Sequence, residues 1–259
     1  MASFARSGET LMQRCLAAHP RVEVVHQIRM PDDKRDVALF KALQTRAARA
    51  IPADHPRLAH RSPAPDAVLV LKSAVWCHPH PRRGFALVRN PFSVALSGER
   101  HLTDDPARDR RQRRQQGRWA EGIDPGLAQF VAEAPILDGW LALHSRKLLQ
   151  DRRDGLPFVR YEEFVTDPEP VLRAVLAHMG LPWDDAVLRS HEAYAEGEIG
   201  HGLIRLSEPV HPGSAESWRR MAPALQRRVH AVMHEAMTVH GYLWDGGSLT
   251  LAKAPGLLR

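Results

Sequence analysis

Cysteine is nearly missing from this chain. Its two residues, Cys15 and Cys77, exclude a disulfide framework and a four-cysteine zinc site. Long apolar runs are missing too; none approaches the roughly 20 residues that a membrane span requires. There is no G-x-x-x-x-G-K-[ST] phosphate loop and no internal repeat. Lysine is scarce beside arginine, and the net charge is +6, which favours an anionic ligand, an acidic partner or nucleic acid. The first strand signal begins right after Met1 and leaves no room for a leader, so a cytoplasmic protein is expected.

What is present is an ordinary globular composition, 44% hydrophobic and 25% charged over 259 residues, enough for one sizeable domain. Short apolar runs alternate with helical spacing. Met1–Ala5 reads as a strand, and Gly8–Ala18 as a helix with Cys15 on its apolar side. "VEVV" (22–25), "AVLVLK" (67–72) and "GFALV" (84–88) read as buried strands of a parallel sheet. A helix is expected over 36–49, then a Pro-rich connector to Pro65. Residues 104–118 read as an exposed loop or polar helix, followed by a long helical stretch through Phe130 to Leu149. "LPFVRYEEF" gives a third core strand ending near Tyr161. "EPVLRAVLAHMGLPW" is a helix stopped by Gly180 and Pro182. A last helix covers 222–240, and the Gly-rich tail after Trp244 is expected to fray. This alternation predicts a single α/β domain, 1–259, with a central mostly parallel sheet flanked by helices in three layers.

Two stretches carry anion-binding chemistry. "FARSGETLMQR" (4–14) is a strand, a Ser-Gly turn and a helix start. Backbone N–H groups and the helix dipole favour phosphate or sulfate there; Arg6 adds a charge, and Ser7 and Thr10 add hydroxyls. Glu9 is the odd member. At about 5 Å from a phosphate charge its repulsion costs about 3 kcal/mol at an effective dielectric of 20. It must turn away, pair with an arginine or stay protonated, and in the first turn it also suits the dipole. "ALVRNPFSVALSGERH" places Arg89 at a strand end and Ser97 eight residues on, where two helical turns return it toward the helix start. Two anion sites at strand ends suit a nucleotide phosphorylated at both ends of its ribose.

With these residues the chain resembles the sulfotransferases that use 3′-phosphoadenosine 5′-phosphosulfate. Their loop reads P-[KR]-S-G-T-T-[WL], against "ARSGETL" here. "FVRYEEFVTDPEPVLRAVLAHMGLPW" resembles their V-x-Y-E-D-L block, and "GSAESWRR" their S-x-x-x-W element. "RSGETLMQRCLAAHPRV" is most similar to the tyrosylprotein branch. The resemblance implies a P-loop-like fold and sulfuryl transfer to a hydroxyl or amine, with 3′,5′-adenosine bisphosphate as product and no metal. It implies that Arg6, Ser7, Gly8, Glu9, Thr10 and Leu11 cradle the 5′-phosphosulfate, that Arg89 and Ser97 hold the 3′-phosphate, and that Tyr161 and Ser214 complete the nucleotide site.

Sulfuryl transfer resembles phosphoryl transfer: cations stabilise the sulfuryl and leaving-phosphate oxygens, and a base takes the acceptor proton. Arg6 suits the first task, and Lys72 matches the family's lysine on the bridging oxygen. The base is His26, which neighbours Gln27 at the position of the tyrosylprotein glutamate, or Glu9; Ala74 replaces the histidine of another branch. Histidine titrates near neutrality and glutamine does not. "WCHPHP" (76–81) matches no common zinc spacing and is read as lining the acceptor pocket. The arginine run 108–118 is read as a solvated segment that covers the site or attracts an acidic acceptor, and more weakly as a nucleic-acid contact. A non-catalytic nucleotide-binding relative and a nucleotide kinase-like transferase remain alternatives. The acceptor stays open among small hydroxylated molecules, carbohydrates and peptide tyrosine, and so does a homodimer.

Overall fold

The computed structural model describes residues 1–25, 66–71, 84–99, 106–200 and 204–258, with isolated helical positions at 38 and 42. His26, Gln27, Lys72, Ala74, Cys77 and the "WCHPHP" stretch lie outside them, as does most of the segment 36–65.

Three parallel strands form the centre: β1 (Ala2–Ser3), then β4 (Ala86–Val88), then β5 (Phe158–Arg160). The register sets Ala2 against Ala86, Leu87 against Val159 and Val88 against Arg160. A second parallel pair joins β2 (Val22–Val25) to β3 (Val68–Leu71). Strand alternation decides the layers, because successive side chains point to opposite faces. Leu87 and Val159 pack with Met12, Cys15 and Leu16 of α1 (Glu9–Ala17) and with Leu172 and Val175 of α7 (Pro168–His178). Ala86, Val88 and Phe158 pack instead with Phe92 of α2 (Pro91–Glu99), Leu141 and Leu148 of α5 (Ile136–Arg153), and Met233 of α8 (Pro223–Val239). Helices therefore cover both faces of a central parallel sheet.

Of the two readings for the polar stretch after Asp104, the helix holds: α3 (Pro106–Ile123), with Trp119, Ala120 and Ile123 burying one side of it. One helix expectation is corrected. The single long helix up to Leu149 is two, α4 (Ala128–Glu133) and α5, parted at Pro135, whose ring removes a backbone donor. The third strand ends at Arg160, beside Tyr161 as expected, and Tyr161 opens α6 (Tyr161–Thr166).

The tail after Trp244 is ordered, against expectation. β6 (Tyr242–Trp244) and β7 (Leu249–Leu251) form an antiparallel hairpin, closed by Asp245 Oδ1 accepting from Gly247 N and Ser248 N. Leu258 N then donates to Phe158 O at 2.8 Å, and Phe158 N to Gly256 O at 2.9 Å, so the chain end pairs with β5. Arg160 anchors this arrangement: it is buried, forks onto Glu163 and donates to Ala252 O at 2.8 Å.

Two core histidines tie stability to pH. His144 stacks on Phe4 with ring centroids 4.4 Å apart, and neither ring nitrogen has a hydrogen-bond partner. Burial, helped by the nearby His240, lowers its pKa to about 3. Burial likewise brings His240 to about 4, with its Nδ1–H donating to Ala236 O at 2.8 Å. Both are neutral in the fold and protonate on unfolding, so their stabilisation is complete above pH 6.5 and is lost as pH falls toward 4 and 3. The slope is about 1.4 kcal/mol per pH unit for each histidine. Glu162 opposes it within the carboxylate range, because burial raises its pKa. The melting temperature is expected to fall from pH 6.5 to 4.5, and the fall to be shallower in His144→Leu. An unchanged slope in that variant would remove His144 from the account.

Candidate nucleotide site

The loop between β1 and α1 turns sharply enough to need two left-handed residues. Gly8 has φ 95° and Arg6 has φ 74°, an uncommon value for a side-chain-bearing residue and a local strain of order 1 kcal/mol. Ser7 N donates to Phe4 O, and the first helical bonds run from Leu11 N and Met12 N to Gly8 O. The amides ahead of them point along the α1 axis toward the loop mouth, where the helix carries partial positive charge. Glu9 and Thr10 are buried in this first turn, and Leu11 is half-buried against the core.

Five contacts join the ends of β1, β4 and β5. Arg6 Nε donates to Ser97 Oγ on α2 at 2.8 Å. Arg89 follows β4; its Nη1 donates to Arg6 O at 3.1 Å and its Nη2 to Ser214 O at 3.0 Å. The Arg89 guanidinium lies 4.4 Å from the centre of the Tyr161 ring, a cation–π contact. Tyr161 OH and Ser214 Oγ are 2.6 Å apart. Arg6, Ser97, Arg89, Tyr161 and Ser214 thus form one connected cluster, with Arg6 standing between Arg89 and Ser97. Gly8 is pressed against this cluster: a methyl group there would come closer than 3.0 Å to Cδ2 and Cε2 of Tyr161.

Two buried polar atoms in the cluster are orphaned. Ser7 Oγ and Arg89 Nε have no hydrogen-bond partner, although Ser7 is 1% exposed and Arg89 8% exposed. Among the described residues Arg89 forms no ion pair, which is costly for a buried guanidinium. Each is a donor that a bound anion could satisfy, so the residues present fit a phosphate-bearing ligand.

Other residues support the cluster from behind, and sequence reasoning did not find them. Asn90 caps α2 by accepting from Phe92 N at 2.9 Å; the Asn-Pro pair at a helix start was the available signal. Glu162 accepts from Asn90 N at 2.9 Å and from Tyr242 OH at 2.7 Å, locking the segment after β4 to the segment after β5. Arg14 of α1, 1% exposed, donates to Leu206 O at 2.9 Å and Glu208 O at 2.7 Å, holding down the loop that leads to Ser214. Nothing in the local sequence around Arg14 announces that clamp.

On α3, Arg113 pairs with Asp109 and donates to Ala132 O and Ala134 O, so that arginine belongs to the fold. Among the described residues no helix is long and apolar enough to cross a membrane, and no cluster of metal-ligating side chains occurs.

Two solved structures similar to this chain are sulfotransferase domains. The sulfotransferase domain from the curacin biosynthetic pathway matches with a TM-score of 0.52 at 15% identity, covering 90% of this chain and 95% of that one. The sulfotransferase domain from the Synechococcus PCC 7002 olefin synthase matches with a TM-score of 0.49 at 20% identity, covering 90% and 92%. No family model and no curated protein sequence matches the chain. The likeness to the curacin-pathway domain establishes the fold: a sulfotransferase-like α/β sandwich.

Proposed function

We propose that this chain is a sulfotransferase that takes its sulfuryl group from 3′-phosphoadenosine 5′-phosphosulfate. The observation that carries the reading is the pair of buried orphans, Ser7 Oγ and Arg89 Nε, in a cluster where Arg89 forms no ion pair among the described residues. An anion bound there would give these donors a partner. Its position at the carboxyl ends of parallel strands is where open α/β sheets bind nucleotides. The order of the matching sequence marks, and the fold shared with a sulfotransferase domain, support the same choice.

In this reading the 5′ side of the nucleotide lies on the α1 first-turn amides, Ser7 and Thr10, and the 3′-phosphate on Arg89 and Ser97. Tyr161 and Ser214 border the nucleotide. The donor supplies an activated sulfuryl group, whose bond to the phosphate oxygen breaks as the acceptor oxygen bonds to sulfur. Arg6 and Lys72 stabilise charge developing on the sulfuryl and leaving oxygens, and His26 or Glu9 takes the acceptor proton. The roles of Lys72 and His26 rest on sequence alone.

Calorimetric titration of the full chain with 3′,5′-adenosine bisphosphate tests the reading. Saturable binding at one site per chain is expected, and no heat at millimolar ligand would defeat the assignment. His26→Ala is expected to lower turnover at neutral pH by about a hundredfold or more with nucleotide affinity intact. Unchanged turnover would pass the base role to Glu9.

A further inference from the structure

Helix α8 carries two histidines four positions apart, His230 and His234. Side chains at that spacing lie one above the other on the same side of a helix. The apolar positions Val229, Met233 and Ala236 are buried in the core. The histidines run beside that face, with His230 half-buried and His234 exposed. Their imidazole centroids are 5.1 Å apart.

That separation is the one a shared ion requires. A transition ion holds an imidazole nitrogen at about 2.0–2.1 Å, which places the ring centre about 3.2 Å from the metal. Two such rings at a tetrahedral angle have centres about 5 Å apart.

The described histidines that serve the fold spend their ring nitrogens on the backbone. His19 meets Pro182 O and Arg21 N, His178 meets Gly84 O, His211 accepts from Gly213 N, and His240 donates to Ala236 O. His230 and His234 do not. Among the described residues neither imidazole has a hydrogen bond or ion pair; the bond at His234 reaches its backbone carbonyl, from Thr238 Oγ1. The other ring contact of His230 is with Trp244 of β6, whose centroid lies 4.7 Å away.

We propose that His230 and His234 chelate one divalent transition ion of the nickel and zinc class, each through one ring nitrogen, with water on the remaining positions. Imidazole suits these ions, whereas magnesium and calcium take oxygen ligands. Among the described residues no third histidine, cysteine or carboxylate joins the pair, so the ion is held reversibly and stays open to solvent. The site is separate from the nucleotide cluster and takes no part in sulfuryl transfer.

The test titrates Ni²⁺ into the full chain at about pH 7.5, where imidazole is mostly neutral, and follows tryptophan emission. An open-shell ion held at His230 quenches the adjacent Trp244 indole. Saturable quenching is expected, and closed-shell Zn²⁺ should restore the emission by displacing Ni²⁺. Trp244→Phe should remove this quenching while calorimetry still shows Ni²⁺ bound. His234→Ala, at an exposed position, should lose the chelate and raise the Ni²⁺ needed for half-saturation at least about tenfold. Mg²⁺ should leave the emission unchanged. Uptake near Trp76, by Cys77, His78 or His80, would survive His234→Ala, so a Ni²⁺ titration unchanged in that variant would overturn the proposal. Mg²⁺ acting like Ni²⁺ would overturn it as well.

Discussion

Replacing Arg89 with alanine is expected to weaken 3′,5′-adenosine bisphosphate binding by about a hundredfold or more. A charge-assisted hydrogen bond contributes about 1.5–3 kcal/mol, and about 1.4 kcal/mol is tenfold in affinity; the variant loses at least one such bond to phosphate. It also loses the donors that hold Arg6 O and Ser214 O, so the loop and the 214 segment are no longer clamped to one planar group. Arg89→Lys separates the two contributions. It keeps a charge but cannot span both carbonyls with one rigid fork, and an intermediate affinity is expected. Calorimetry on samples whose melting curves match the parent decides the matter. Affinity equal to the parent in Arg89→Ala would place the 3′-phosphate elsewhere.

Gly8→Ala is expected to damage both stability and binding. The residue has φ 95°, where an L side chain is strained, and its new methyl group would run into the Tyr161 ring. Forced overpacking costs about 1–3 kcal/mol, and the left-handed backbone adds about 1 kcal/mol. Tyr161 cannot move away freely, because its hydroxyl meets Ser214 and its face carries Arg89. Nucleotide affinity should therefore fall by at least about tenfold, with roughly 2–4 kcal/mol lost in denaturant unfolding. Gly155→Ala is the control: it shares the positive φ, at 72°, but a methyl group there meets nothing within 4 Å. It should cost only the backbone strain, about 1 kcal/mol, and leave nucleotide binding untouched. A Gly8→Ala protein that behaves like Gly155→Ala would show that the packing of Gly8 against Tyr161 has no part in the site.

The legible parts of this molecule were those coded by neighbours in the chain. Ser7-Gly8 before an apolar helix marks the loop, and the Asn90-Pro91 pair marks the start of α2. The unbroken apolar run Ala86, Leu87 and Val88 marks a strand buried on both faces. The less legible parts depend on groups far apart in sequence. The tail reads as glycine-rich and weak, yet it is ordered because β5 has an unpaired edge that Gly256 and Leu258 fill. Residues 104–118 read as a loop or a polar helix because their arginines dominate the composition, and burial of Trp119 and Ile123 decides for a helix from Pro106.

Sequence alone determined the parts of the candidate site: a Ser-Gly loop at a strand end and a strand-end arginine with a serine two helical turns on. Local geometry is enough for that, since backbone turn, helix dipole and charge all act within a few residues. Only the tertiary structure decided that Arg6 stands between Ser97 and Arg89, that Tyr161 and Ser214 meet behind them, and that Arg14 pins the loop leading to Ser214. Those contacts span 53 to 192 positions of sequence. They exist because the parallel sheet brings distant strand ends side by side, an effect that no local pattern encodes.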